Sequence, residues 1–293
     1  MNHITGSWGG AIALGGALCL SACGGGSEGP DDHATQRATP MSASMPADEQ
    51  AEATRPGPKN TGVPAGTVLT PRKGILTLTQ AGQVIDAIDL EGCVAVKAPG
   101  VVIRRSRIRC DSYYPVEVLP GGDLLIEDSE IDGSPSRGIA TSGIGFTNYT
   151  ARRVNIHGTA DGLKADSDVV IEDSWIHDLW LGPDDHADGV QSTGGGRVTL
   201  RRNFIDIRDH GQGHGGDPNS AVQVGTEWAS NSDWTIKGNW FYGGGWIVHV
   251  DAGQGSRNKI VKNRFGDAGY GPIATTGAWQ VSGNVWDKTG DPI

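Results

Sequence analysis

Residues 169–176 read VVIEDSWI, and the fold follows from how often that octet returns. It recurs as VVIRRSRI at 101–108, LLIEDSEI at 124–131, YTARRVNI at 149–156, VTLRRNFI at 198–205, WTIKGNWF at 234–241, NKIVKNRF at 258–265 and WQVSGNVW at 279–286. The third position is Ile103, Ile126, Ala151, Ile171, Leu200, Ile236, Ile260 and Val281, so by subtraction the copies stand 23, 25, 20, 29, 36, 24 and 21 residues apart. A period in the twenties with variable excursions describes the coils of a β-solenoid whose loops leave at fixed corners. The eighth position, Ile108, Ile131, Ile156, Ile176, Ile205, Phe241, Phe265 and Trp286, is an unbroken apolar row that only burial explains. The sixth position is Ser106, Ser129, Val154, Ser174, Asn203, Asn239, Asn263 and Asn284. Small polar residues suit a tight corner, where Asn tolerates unusual backbone angles, and stacked copies would form a hydrogen-bonded ladder.

Four coils carry a further strand: DGLKA from Asp161, DGVQS from Asp188, SAVQV from Ser220 and WIVHV from Trp246. Alternation puts Leu163, Val190, Val222 and Val248 in the core and Lys164, Gln191, Gln223 and His249 outside. Coils rise about 4.8 Å each, so those four outer side chains become vertical neighbours. The expectation is an all-β chain folded as a single-stranded parallel β-helix of about eight coils, roughly 35–40 Å long. The 46 glycines, 3 methionines and lack of a long helical apolar period agree with one such domain.

The segments VPAGTVLTP (63–71), VNIHGTADGLKA (154–165), DHADGVQS (185–192) and GNVWD (283–287) make residues 62–293 resemble the pectate-lyase-like right-handed β-helix superfamily, and within it a group of secreted bacterial β-helix repeat proteins. The resemblance implies a right-handed coil. It leaves the reaction open, because that superfamily holds lyases, hydrolases, epimerases, esterases and non-enzymes.

The amino-terminal end reads as targeting sequence. The apolar run 11–20 is too short for an ordinary transmembrane helix. It ends in Leu20-Ser21-Ala22-Cys23, which resembles a bacterial lipoprotein signal peptide, although Met1 to Trp8 lacks the usual Lys or Arg. Residues 1–22 are then the signal, Cys23 the lipidated residue, and 23–61 a Gly-, Ser- and Pro-containing tether too poor in apolar residues to fold. This predicts a monomer anchored by lipid in the bacterial cell envelope. Cys93 and Cys110 remain in the exported domain and are expected to pair, stapling the first coil. A formal charge of −10 argues against a nucleic-acid partner, which needs a net basic face.

Candidate chemistry gathers on the outer row and the loops beside it. Asp161 and Asp188 occupy the same place in adjacent coils, so their carboxylates would share a proton, bind a cation or take a basic partner. Asp-Gly is equally a way to start a strand, with the Asp capping a turn. In Asp184-Asp185-His186-Ala187-Asp188 a histidine stands among three carboxylates, suited to move a proton. His186 resembles the histidine in the Asp-Pro-His-Asp motif of mannuronate epimerases, with Asp185 in place of Pro and Ala187 intervening. His210 and His214 share a glycine-rich loop with Asp209 and Asp217, a spacing that permits metal ligation, and Asp184 and Asp217 are the candidate ligands for Ca²⁺. Trp180 and Trp228 fall in loops where they could stack on sugar rings or pack the loop onto the coils. His157 and His177 sit at equivalent corners and read as structural.

The partner these features fit is an acidic polysaccharide. The leading expectation is a lyase or C5-epimerase acting on a uronate: Lys164 or a cation neutralises the carboxylate, His186 takes the adjacent proton, and His249 or a water held by Gln191 and Gln223 assists. Two alternatives stand beside it. One is a glycoside hydrolase using Asp161, Asp185 and Asp188. The other is a non-catalytic module that binds glycans on stacked Gln, Trp and Asp side chains.

Overall fold

Each octet folds as two short strands meeting at a left-handed residue. In VVIEDSWI the strand Ser167–Glu172 ends at Asp173, whose φ is 52°, and the next strand, Trp175–His177, begins two residues later. The same fifth position is left-handed in every copy: Arg105, Asp128, Arg153, Arg202, Gly238, Lys262 and Gly283 lie between 49° and 66°. The unusual backbone angle therefore falls one residue before the small polar position expected to carry it. The sixth side chain has a different task.

The computed structural model describes residues 54–183, 186–211 and 215–293. Its 28 strands wind through three parallel sheets of ten, nine and nine strands, a right-handed parallel β-helix. The first face starts with Thr70–Lys73, the second with Leu76–Leu78 and the third with Val84–Asp86, and the chain visits them in that order in each coil. There are nine windings and a closing strand, Val285–Trp286, one winding more than the octets count. The extra coil carries Ala87 at the left-handed place, with φ 53°, and Ile88 where seven of the eight octets have Ser or Asn, which hides it from the pattern.

The third and eighth positions stack in register: Ile103 on Ile126 and onward through the core to Ile260, ending at the exposed Val281 of the last coil, and Ile108 on Ile131 and onward to Trp286. The sixth position forms the ladder. Each Asn Oδ1 accepts from the backbone N–H of the sixth residue one coil earlier, Ser174 to Asn203 at 3.0 Å, then Asn203 to Asn239, Asn239 to Asn263 and Asn263 to Asn284 at 2.9 Å each. Each Asn Nδ2 donates backward to a core-strand carbonyl, as Asn239 does to Leu200 at 2.9 Å. These side chains supply the polar partners that buried corners otherwise lack.

Outside the third face, charge alternates coil by coil. Arg104-Arg105, Glu127-Asp128, Arg152-Arg153, Glu172-Asp173 and Arg201-Arg202 stack in that order. Arg153 forks onto Asp128 at 2.6 and 2.7 Å, Arg202 onto Asp173 at 2.7 and 2.7 Å, and Glu172 lies between Arg152 and Arg201. A slip by one coil would set like charges together, so the pattern fixes the order of stacking. Glu172 is 1% exposed, and the two guanidinium groups hold its carboxyl below the usual range against the opposing effect of burial. Removing one partner of a buried pair costs about 3–5 kcal/mol, and because the arginines remain partly in water we expect Glu172→Ala to cost about 2 kcal/mol. Urea unfolding would check it; a loss below a few tenths would mean that solvent already screens the pair.

Cys93 and Cys110 form a disulfide with Cα atoms 5.0 Å apart. It joins the second and third windings at the corner between the first and second faces, rather than closing the first coil. Residues 54–61, read as tether, lie against the coils. Arg55 stacks over Phe204 at 4.5 Å, Pro56 is buried, and beyond them Gly62 N–H donates to Arg153 O at 2.9 Å. Cys23, the signal and the rest of the tether lie outside the described residues.

Candidate active site on the second face

The outer row forms as the alternation requires: Lys164 pairs in register with Gln191, Gln191 with Gln223, and Gln223 with His249. Beside it stands a second outer column that alternation alone does not give. Asp161 and Lys164 are three residues apart yet share the outer face, because Gly162 and Leu163 both turn inward. A Cβ on Gly162 would lie 2.5 Å from Ile176 Cγ2 and 2.2 Å from Gly189 O; on Gly189 it would lie 2.3 Å from Ile205 Cγ2. Glycine here is a matter of space in the core, and it returns the Asp to the outside. The same bend sets Asp188 beside Gln191 and Ser220 beside Gln223.

Four side chains form a chain of hydrogen bonds across two coils. Lys164 Nζ donates to Asp161 Oδ2 at 2.5 Å and to Gln191 Oε1. Gln191 Nε2 donates to Asp188 Oδ2 at 2.9 Å. Asp188 Oδ1 accepts from Asn219 Nδ2 at 2.9 Å and from Ser220 N–H at 3.1 Å, while Asp188 N–H donates to Asp161 Oδ1 at 2.8 Å. A register shift between Ala187 and Asp188 admits Asn219 as the extra residue of the next coil, which brings its amide onto Asp188.

The two carboxylates are not equivalent. Asp161 borders an open cleft of about 380 Å³ together with Lys164, Gln191, His186, Tyr113, Tyr114 and Thr141. Asp188 is 1% exposed and lies beneath that cleft with its oxygens engaged. Burial, then the Asp161 charge, pushes its carboxyl up to about 7, against the hydrogen bonds of Asn219 and Gln191 and the Lys164 charge. Between 3.8, its ordinary value, and about 7 the folded chain holds a proton there that the unfolded chain releases. This group therefore makes stability fall as pH rises through that window. Asp188→Asn lacks the contribution, so its stability relative to wild type should rise from acid to neutral pH, as Tm measured across the window would show. A parallel pair of curves would mean that Asp188 stays ionised throughout.

The remaining candidates separate. His186 is exposed and lines the same cleft as Lys164. His249 stands three coil rises away, about 14 Å, beside a different cleft, so it does not share a reacting atom with Lys164. Trp180 lies flat on Gly138, where a Cβ would meet its Nε1 at 2.5 Å, so at least part of that ring packs the loop. Trp228 is 83% exposed, and its backbone N–H is held by Thr193 O at 2.9 Å. Asp217 pairs in register with His186, and His210 contacts Asp206 at 3.2 Å. Among the described residues no group of three His, Cys, Asp or Glu is placed to hold a metal ion, while Asp184, Asp185 and His214 lie outside those residues. His157 and His177 lie on the first face, bonded to Glu130 and to Asn155 and Asp178. Tyr113, Tyr114, Thr141 and Asn219 were not foreseen. The first three come from segments between strands whose lengths differ between coils, and Asn219 from a register shift in the strand Asp217–Val224, so no repeat marks them.

No protein-family model, no curated protein and no solved structure matches this chain.

Proposed function

We propose that the protein is a polysaccharide lyase or C5-epimerase of the pectate-lyase-like kind, acting on a uronate-containing chain from the bacterial cell envelope, where Cys23 would carry its lipid. The observation that carries the reading is an ammonium group, Lys164, oriented by Asp161 and Gln191 at the floor of a cleft that His186 and Tyr114 also line.

Both reactions begin by removing the proton next to the sugar carboxylate. Lys164 offsets the charge that builds on that carboxylate as the proton leaves. His186 takes the proton. In a lyase, the bond from the ring to the leaving oxygen then breaks, a ring double bond forms, and an acid protonates the departing oxygen. Tyr114 suits that last step, since burial raises its phenol and keeps the proton on it. In an epimerase the proton returns to the opposite face. Asp188 acts through Gln191 as a positioning group.

The hydrolase reading needs two carboxylates facing one bond; of its three, Asp161 borders the cleft, Asp188 is covered, and Asp185 lies outside the described residues, which leaves it less well supported. The test is incubation with polygalacturonate, alginate and neutral glucans, following ultraviolet absorbance of an unsaturated product, reducing ends, and exchange of solvent deuterium into recovered polymer. Lysis gives absorbance, epimerisation gives exchange alone, and hydrolysis gives reducing ends alone. Reducing ends without absorbance would overturn the reading.

A further inference from the structure

The second face holds another cleft, of about 290 Å³, lined by Gln223, Glu227, His249, Asp251 and Thr276 with backbone of 224–226. It shares the outer row with the first, since Gln223 is two coils from Lys164 and His249 three. Its walls are fixed. Asn231, fully buried, donates to Gly225 O and to Asp251 O at 2.7 Å each, tying together the two loops that border it. The backbone of Ala229 fills the space over Gly194, where a Cβ would meet Ala229 O at 2.2 Å. The Glu227 carboxylate lies over Gly225, where a Cβ would meet its Oε2 at 2.2 Å, and Asp251 Oδ1 accepts from Gly253 N–H at 2.7 Å.

The two clefts differ in charge. The first presents Lys164, paired with the Asp161 carboxylate. The second presents two carboxylates, and among the described residues no Lys or Arg lines it. Carboxylates only accept hydrogen bonds, so they suit sugar hydroxyls and repel a uronate. We propose that the second cleft is a subsite for a neutral, hydroxyl-bearing sugar two to three units along the chain from the uronate at Lys164, so that the substrate is a mixed polymer and not a run of uronates. This rests on the reading of the first cleft as a uronate site. The spacing enters because a pyranose unit in an extended glycan advances by about one coil rise. Glu227 follows Gln223 at two coils and Asp251 ends the His249 strand at three, so where uronate and neutral sugar alternate, one of the two units that reach them is neutral. In a uronate homopolymer both carry a carboxylate.

The test is affinity gel electrophoresis in polygalacturonate, in which every unit is acidic, and in hyaluronan, in which uronate alternates with a neutral N-acetyl sugar. Wild type should bind hyaluronan about tenfold or more tightly than polygalacturonate, the scale of a like-charge contact in a partly wet site. A Glu227→Gln, Asp251→Asn double variant should lose that preference by gaining affinity for polygalacturonate. Equal binding of both polymers by wild type, binding of neither, or a preference unchanged in the double variant would each overturn the proposal. Selectivity that depends on Glu227 and Asp251, with no turnover of any polymer, would keep this subsite and remove the proposed reaction. Turnover that needs Lys164, without selectivity, would do the reverse.

Discussion

Lys164→Ala is expected to lower turnover of a uronate polymer by about a hundredfold to a thousandfold, the usual loss when one preorganised charge is removed from a developing anion. Among the described residues no other Lys or Arg lines the first cleft, so none of them can take over. The change also leaves the Asp161 carboxylate without its ammonium partner and the Gln191 carbonyl without a donor. Gln191 can then turn its amide, which loosens the hold on Asp188. The loss should therefore appear mainly in kcat, with the coil intact by circular dichroism. Lys164→Arg should recover little, because a planar guanidinium does not fit a site shaped around one compact ammonium. Turnover by Lys164→Ala equal to wild type, on any polymer the wild type cleaves, would remove the central element of the proposed mechanism.

Asn239→Ala is expected to have the largest effect on stability, about 3–5 kcal/mol, as several buried polar groups lose partners worth about 1–3 kcal/mol each. Asn239 Oδ1 accepts from Asn203 N–H at 2.9 Å and from Asn203 Nδ2 at 3.0 Å, while its Nδ2 donates to Leu200 O at 2.9 Å and to Asn263 Oδ1 at 3.0 Å. All four ladder asparagines from Asn203 to Asn284 are no more than 2% exposed, so water is poorly placed to replace those bonds. The residue sits between coils, so its loss should also reduce the cooperativity of unfolding, as expected where each repeat is held chiefly by its neighbours. Urea unfolding followed by far-ultraviolet circular dichroism would read both the midpoint and the slope. A shift under about 1 kcal/mol would show that the corner relaxes around a small side chain.

The coil was legible because stacking turns a sequence period into a row of contacts. Ile103 and Ile126 are 23 residues apart in the chain and partners in the sheet, and the apolar eighth position followed the same rule without a break. The first winding was not legible, since Ile88 replaces the small polar corner residue: its N–H still donates to Ser106 Oγ at 3.2 Å, but its own side chain adds no rung to the ladder. The alternation of Arg-Arg with Glu-Asp was present in the octets, yet it acquires meaning only when neighbouring coils are laid on each other.

For the site, sequence alone determined the row from Lys164 to His249 and the equivalence of Asp161 with Asp188, because both depend only on register. Tertiary structure decided that Asp188 lies under the cleft and Asp161 at its edge, that His249 belongs to a separate cleft, and that Tyr113, Tyr114 and Asn219 join from other coils. The physical reason is that a repeat specifies height along the coil, whereas depth depends on how an inserted loop folds back. The stretches between the first and second faces differ in length from one coil to the next, so what their described residues cover cannot be read from a period.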